Sequence, residues 1–129
     1  MTDTPLLRTY LVEDNATIRE NLIATLEDLV GIEPVGWAAT EDEGSRWLAR
    51  DDVSWDLAIV DLFLKQGNGL GVLQACGARD PKRKVIVLTN YATADVRARC
   101  TALGADAVFD KSTDVDALLD FCADLREQA

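Results

Sequence analysis

The stretch "AIVDLFLKQGNGLG", residues 58–71, decides how the chain folds. Ala58, Ile59 and Val60 form the apolar body of a buried strand, and the run stops at a single carboxylate, Asp61. A turn rich in Gly and Asn follows, and Leu70, Val72, Leu73 and Cys76 then fall on a helix. A strand apolar on both faces, followed by a turn and a helix, points to a parallel sheet covered on each side.

The same alternation continues in both directions. "RTYLVED" (8–14) reads as a buried strand, and Ile18, Leu22, Leu26 and Leu29 are spaced for one face of the next helix, with Gly31 as its stop. "IEPVGWAA" (32–39) is a second strand, after which Thr40 and Glu43 resemble a capping box opening a helix that carries Trp47 and Leu48. "DLAIVD" (56–61) is the third strand. "KVIVLT" (84–89) is the fourth, followed by a helix through Val96, Cys100 and Leu103. "AVFD" (107–110) is a short fifth strand, and Val115, Leu118, Leu119, Cys122 and Leu125 stripe a last helix. Five strand–helix pairs without an internal repeat, low-complexity segment or Pro/Gly linker predict one α/β domain over residues 1–129, with a parallel sheet between two layers of helices.

Composition narrows the function. Apolar residues make up 48% of the 129 and charged residues 28%, as in ordinary globular proteins. With 23 acidic against 13 basic residues the net charge is −10, which repels phosphate backbones and anionic lipid, so neither nucleic acid nor membrane is expected as a direct partner. No basic-then-apolar leader opens the chain, and no apolar stretch nears the ~20 residues needed to span a bilayer. Cys76, Cys100 and Cys122 are odd in number, widely spaced and free of CxxC, which predicts a reducing cytoplasm and small apolar roles on helices. The chain has no histidine, which removes Ser-His and Cys-His catalysis and most zinc sites. Trp37, Trp47 and Trp55 are expected to pack or anchor loops, and "RDPKRK" (79–84) to be a solvated loop.

An open parallel sheet binds ligands outside the carboxyl ends of its strands. Those ends carry Glu13–Asp14 on the first strand, Asp61 on the third, Thr89 on the fourth and Asp110–Lys111 on the fifth. Three carboxylates on neighbouring strands repel at close range and call for a cation. Lys111 supplies one charge, and an all-oxygen cluster suits Mg²⁺ better than zinc or copper.

With these residues in place, the chain resembles the receiver domain of bacterial two-component response regulators over its whole length. The matching pieces are "LVEDN" (11–15), "AIVDL" (58–62), "GNGLGVL" (67–73), "VIVLTNYA" (85–92) and "GADAVFDKS" (104–112), at the family's spacing. The resemblance implies the flavodoxin-like doubly wound fold with strand order 2-1-3-4-5, and Asp61 as a phosphoacceptor. It further implies that Asp14 binds Mg²⁺ directly, that Glu13 assists through a water, and that Phe63 offers its backbone carbonyl to the metal. Thr89 and Lys111 would contact the phosphoryl oxygens. The donor histidine would belong to a partner sensor kinase or phosphotransfer protein, which fits a chain without histidine. The implied protein is a stand-alone phosphorylation-dependent switch, a monomer or weak dimer. It would not be an enzyme beyond self-phosphorylation and slow autodephosphorylation, and it would signal to a downstream protein through helix four, strand five and helix five.

The chain departs from the family's pattern at three places. Ser112 follows Lys111 and Lys65 lies four past Asp61, where the family usually has proline, and Val108 stands where an aromatic commonly swings on activation. By strand alternation Phe109 shares the face of Lys111 and Val108 faces the other way, so Phe109 is no obvious substitute. Three other functions fit the chain less well. A haloacid-dehalogenase-type phosphatase or phosphotransferase expects a second aspartate two past the first, where Phe63 stands. An FMN carrier wants a hydroxyl- and glycine-rich loop after strand one, where "EDNATIR" has the wrong charge. A phosphorylation-independent adaptor would have no need of the acid, hydroxyl and lysine set.

Overall fold

The protein is described by a computed structural model, which places residues 5–128. Ten elements alternate: β1 (Leu7–Val12), α1 (Ala16–Leu29), β2 (Ile32–Ala38), α2 (Glu41–Leu48), β3 (Leu57–Val60), α3 (Gly69–Ala75), β4 (Lys84–Thr89), α4 (Ala94–Ala102), β5 (Ala107–Asp110) and α5 (Val115–Gln128). The strands form one parallel sheet in the order β2-β1-β3-β4-β5, as expected.

Alternation along each strand sorts the apolar side chains into two layers. Tyr10, Val12, Val60, Val87 and Val108 face Leu48, Val72, Leu73 and Cys100 from α2, α3 and α4. Leu7, Leu11, Ile59, Ile86 and Phe109 face Leu26, Leu118 and Cys122 from α1 and α5. Val108 and Phe109 therefore lie on opposite faces. Pro34, which lacks the N–H a central strand would need, falls on the edge strand β2, and the ladder to β1 shifts register beside it.

Some local readings are corrected. Helix α1 was expected to bury Ile18, Leu22, Leu26 and Leu29, but Ile18 is 40% and Leu29 67% exposed. At 3.6 residues per turn a row of fourth residues drifts by about 40° per step, so a stripe that starts on Ile18 is off-centre. The inward face is Arg19, Leu22, Ile23 and Leu26. The "RDPKRK" loop is not simply solvated. Arg79 donates to the carbonyls of Cys76, Arg83 and Gly104 and pairs with Asp106 at 2.7 Å, while Arg83 lies over the ring of buried Trp55. Thr40 does cap α2 by accepting the Glu43 amide, but its hydroxyl donates to the Glu43 carboxylate instead of the carboxylate taking the Thr40 N–H. The three thiols are buried as expected, although Cys76 sits just past the end of α3. Trp47 packs flat on Tyr10 at 4.0 Å. Among the described residues no helix is long and apolar enough to cross a membrane.

The edge of the sheet opposite the carboxyl ends has its own clamp. Asp56 accepts the Arg8 amide at 2.9 Å and both ends of its guanidinium at 3.2 and 3.0 Å. Burial opposes ionisation of Asp56, but this fork outweighs it and holds the carboxyl below its usual range. A carboxyl lowered in the folded state stabilises above its unfolded pKa and loses that contribution as pH falls through the folded one. Asp56→Ala is therefore expected to cost about 1–2 kcal/mol in urea unfolding at pH 7, the pair being partly exposed, with the difference shrinking below about pH 4. A cost independent of pH would show that packing alone is lost.

Candidate functional site

Four strand ends build the site. Glu13 and Asp14 lie just past β1, Asp61 just past β3, Thr89 closes β4, and Lys111 follows β5. Backbone hydrogen bonds carry the sheet a residue beyond the strands: the Glu13 amide donates to Ala38, Asp61 to Val12, and Lys111 to the Thr89 carbonyl at 2.9 Å. The main chain thus holds three of the functional positions before any side chain acts. Gly69 starts α3 directly against this framework. A Cβ there would lie 2.3 Å from the Asp61 carbonyl oxygen, so the glycine allows the helix to seat behind the acceptor.

Lys111 ties the pocket together. Its Nζ donates to Glu13 Oε1 at 2.7 Å and to Asp61 Oδ2 at 3.0 Å. All three side chains are largely buried. The second Glu13 oxygen accepts the Asn15 amide, and the second Asp61 oxygen accepts the Phe63 amide at 3.3 Å. Asp14 is less buried and accepts the Lys65 amide at 2.6 Å, which draws the β3–α3 loop over the pocket. One carboxylate oxygen from each of Glu13, Asp14 and Asp61 lies within 4.8 Å of the others. Thr89 is fully buried, and its hydroxyl accepts the Tyr91 amide at 3.2 Å. Among the described residues that hydroxyl makes no hydrogen bond to Asp61 or Lys111.

The electrostatics follow from this crowding. Burial, reinforced by neighbouring Asp61, pushes the Glu13 carboxyl up, with the Lys111 bond opposing. Burial works against the charge on Lys111, yet its bonds to Glu13 and Asp61 prevail and hold its pKa above the ordinary value. Three carboxylates against one ammonium leave a formal charge of −2 in a small, partly dry cleft. Hard oxygen donors with that surplus fit a small divalent cation such as Mg²⁺.

Sequence reasoning missed several neighbours. Arg19 is buried beside the pocket and donates to the Glu13 carbonyl. Asn15 caps α1 by accepting the Ile18 amide. Arg97 on α4 donates to the carbonyls of Ala92 and Val108 and to Asp114, joining the β4–α4 loop, β5 and the start of α5. A helical wheel of α1 centred on Leu26 would have turned Arg19 inward. Nothing in the sequence announces the Arg97 contacts.

The fold and the site define the class: a doubly wound flavodoxin-like α/β protein with an acid–lysine pocket at the carboxyl edge of its sheet. The family model described as the response regulator receiver domain matches residues 9–123, and the chain belongs to that family, the receiver domains of two-component systems. Curated relatives include the photosynthetic apparatus regulatory protein RegA of Rhodobacter capsulatus, 34% identical over 46% of this chain and 32% of its own length. Another is the response regulator UvrY of Escherichia coli, 24% identical over 82% of this chain and 48% of its own. The chain thus spans a third to a half of the curated relatives it matches. Among solved structures, the phosphorylated cyanobacterial phytochrome response regulator RcpA superposes with a TM-score of 0.71 at 25% identity, covering 95% of this chain and 93% of that one. The BeF3-activated DrrB receiver domain gives 0.75 at 19% identity, covering 95% and 99%, a likeness of fold.

Two of the departures from the family's pattern gain a physical account. Lys65 and Ser112 stand where proline is usual, and each uses the N–H that proline lacks. The Lys65 amide binds Asp14, and the Ser112 amide and hydroxyl both bind Asp110 at 2.7 Å. Hydrogen bonds thus order two loops that a ring would otherwise stiffen.

Proposed function

We propose that this receiver domain is a phosphorylation-driven switch in which Asp61 takes a phosphoryl group from a phosphohistidine of a partner sensor kinase or phosphotransfer protein. The observation that carries this reading is the Lys111 ammonium bonded at once to Asp61 and Glu13. In the transfer an Asp61 carboxylate oxygen bonds to phosphorus as the phosphorus–nitrogen bond breaks, and the electron pair returns to the donor imidazole. Asp14, Asp61, the Phe63 carbonyl and, through a water, Glu13 would hold Mg²⁺. When bound, the ion neutralises charge on the transferring group. Lys111 restrains the acceptor before transfer and can turn its donors to a phosphoryl oxygen after it. Thr89 offers its hydroxyl to the same group on giving up Tyr91. The activity is self-phosphorylation and slow autodephosphorylation in the service of signalling. The test is intact-mass spectrometry after incubation with a small acyl-phosphate donor. One phosphoryl group is expected with Mg²⁺ and none with a chelator; no gain under either condition would favour a phosphorylation-independent adaptor.

Output follows from the connections beyond the pocket. The Thr89 hydroxyl anchors the Tyr91 amide, the Thr89 carbonyl accepts the Lys111 amide, and Arg97 holds the carbonyl of Val108, the position where the family's aromatic would swing. A shift of Thr89 toward the phosphoryl group would disturb this network and so the α4–β5–α5 surface, where a downstream protein would dock. Amide chemical-shift changes on phosphorylation are expected to concentrate in residues 89–112. Changes confined to α1 would exclude this route.

A further inference from the structure

The buried face of α1 contains one residue that burial alone does not explain. Arg19 is only 8% exposed and shares that face with Leu22, Ile23 and Leu26. A buried guanidinium is costly unless paired, yet among the described residues no carboxylate forms an ion pair with it. Two contacts hold it instead. Its Nη1 donates to the Glu13 main-chain carbonyl at 2.8 Å, and its central carbon stands 3.6 Å above the ring of Trp37, a β2 residue that is 52% exposed.

The carbonyl that Arg19 grips belongs to the peptide unit joining Glu13 to Asp14. Because that unit is planar, its orientation sets the torsions on either side, and with them the directions of both carboxylates. The neighbouring Glu13 amide is held by Ala38, next to Trp37, and the Glu13 side chain by Lys111. Glu13 is thereby fixed at its amide, its carbonyl and its carboxylate, and Arg19 supplies the carbonyl contact.

We infer that Arg19, clamped by Trp37, is a positioning residue that aims Glu13 and Asp14 for a divalent cation, an inference that rests on the Mg²⁺ reading of the pocket. The sign of the effect makes it testable. Arg19 is a cation beside a cation site, so on charge alone its removal should tighten Mg²⁺ binding. If it positions the acidic pair, its removal loosens binding.

The experiment is a calorimetric Mg²⁺ titration of the wild type, Arg19→Met, Arg19→Lys and Trp37→Leu, with urea unfolding of each. Expected are a Kd raised about 10-fold or more in Arg19→Met, as when a group that orients a metal ligand is lost, a smaller rise in Arg19→Lys, and a rise of a few-fold in Trp37→Leu. A folded Arg19→Met with unchanged or tighter Mg²⁺ binding overturns the inference. Should that variant not fold, an unchanged Kd in Trp37→Leu, which leaves the α1 side chains intact, overturns it equally. A wild type that binds no Mg²⁺ at millimolar concentration sinks the pocket reading itself, and is thereby told apart from failure of the Arg19 role.

Discussion

Asp61→Asn is expected to take up no phosphoryl group from an acyl-phosphate donor under conditions that label the wild type. An amide oxygen is a far poorer nucleophile than a carboxylate, so the loss should exceed ~10³-fold. The fold should survive, because Asn preserves shape and lowers the crowded negative charge around Glu13 and Asp14. Unfolding in urea is therefore expected to be unchanged or more resistant, which separates loss of chemistry from loss of structure. Asp14→Asn should keep Asp61 as acceptor while weakening Mg²⁺ binding by about 10-fold or more, since a hard cation depends on ligand charge. Labelling of the Asp61→Asn variant at the wild-type level would show that another residue accepts the group.

The second large effect concerns how long the phosphorylated state lasts. Phe63 and Tyr91 lie two residues past Asp61 and Thr89, and their rings meet edge to face with centroids 5.0 Å apart. Each carries its backbone amide on a side-chain oxygen of the site, Phe63 on Asp61 and Tyr91 on Thr89. The pair therefore stands at the rim of the pocket, with neither ring offering a carboxylate or amide to orient an attacking water. Placement of a hydrolytic water by one polar group is worth ~10²-fold or more in rate. Because the rings are 56% and 61% exposed, the shielding here should be weaker, about 10-fold. Phe63→Asn and Tyr91→Glu, followed by mass after donor removal, are expected to lose the phosphoryl group faster than the wild type. Unchanged decay in both would mean that the rings pack against each other without controlling the water.

Much of this arrangement is legible in the sequence. Apolar strands alternating with striped helices determined a parallel sheet, and the residues at its carboxyl ends then had to be neighbours, which placed Glu13, Asp14, Asp61, Thr89 and Lys111 at one edge. Strand limits were less legible, because Glu13, Asp61 and Lys111 continue the main-chain hydrogen bonding although they stand outside the strands. The inward face of α1 was misjudged since Arg19 is charged, and a buried arginine is visible only when its carbonyl and aromatic partners are known. Arg79 and Arg97 escaped for the same reason. Each binds main-chain carbonyls of other segments, and a carbonyl leaves no mark in the sequence. At Lys65 and Ser112, where the family usually has proline, the sequence shows only the departure, and the amide bonds to Asp14 and Asp110 appear in the structure alone.

The most direct test of the central claim is to locate the phosphoryl group. An aspartyl phosphate is reduced by borohydride to homoserine, so peptide sequencing by mass spectrometry after donor, Mg²⁺ and borohydride treatment reads out the acceptor. Homoserine at position 61, absent when the donor or Mg²⁺ is withheld, is the predicted result. Homoserine at another carboxylate such as Asp14, or a phosphoryl group found instead on Thr89 or Ser112, would contradict it.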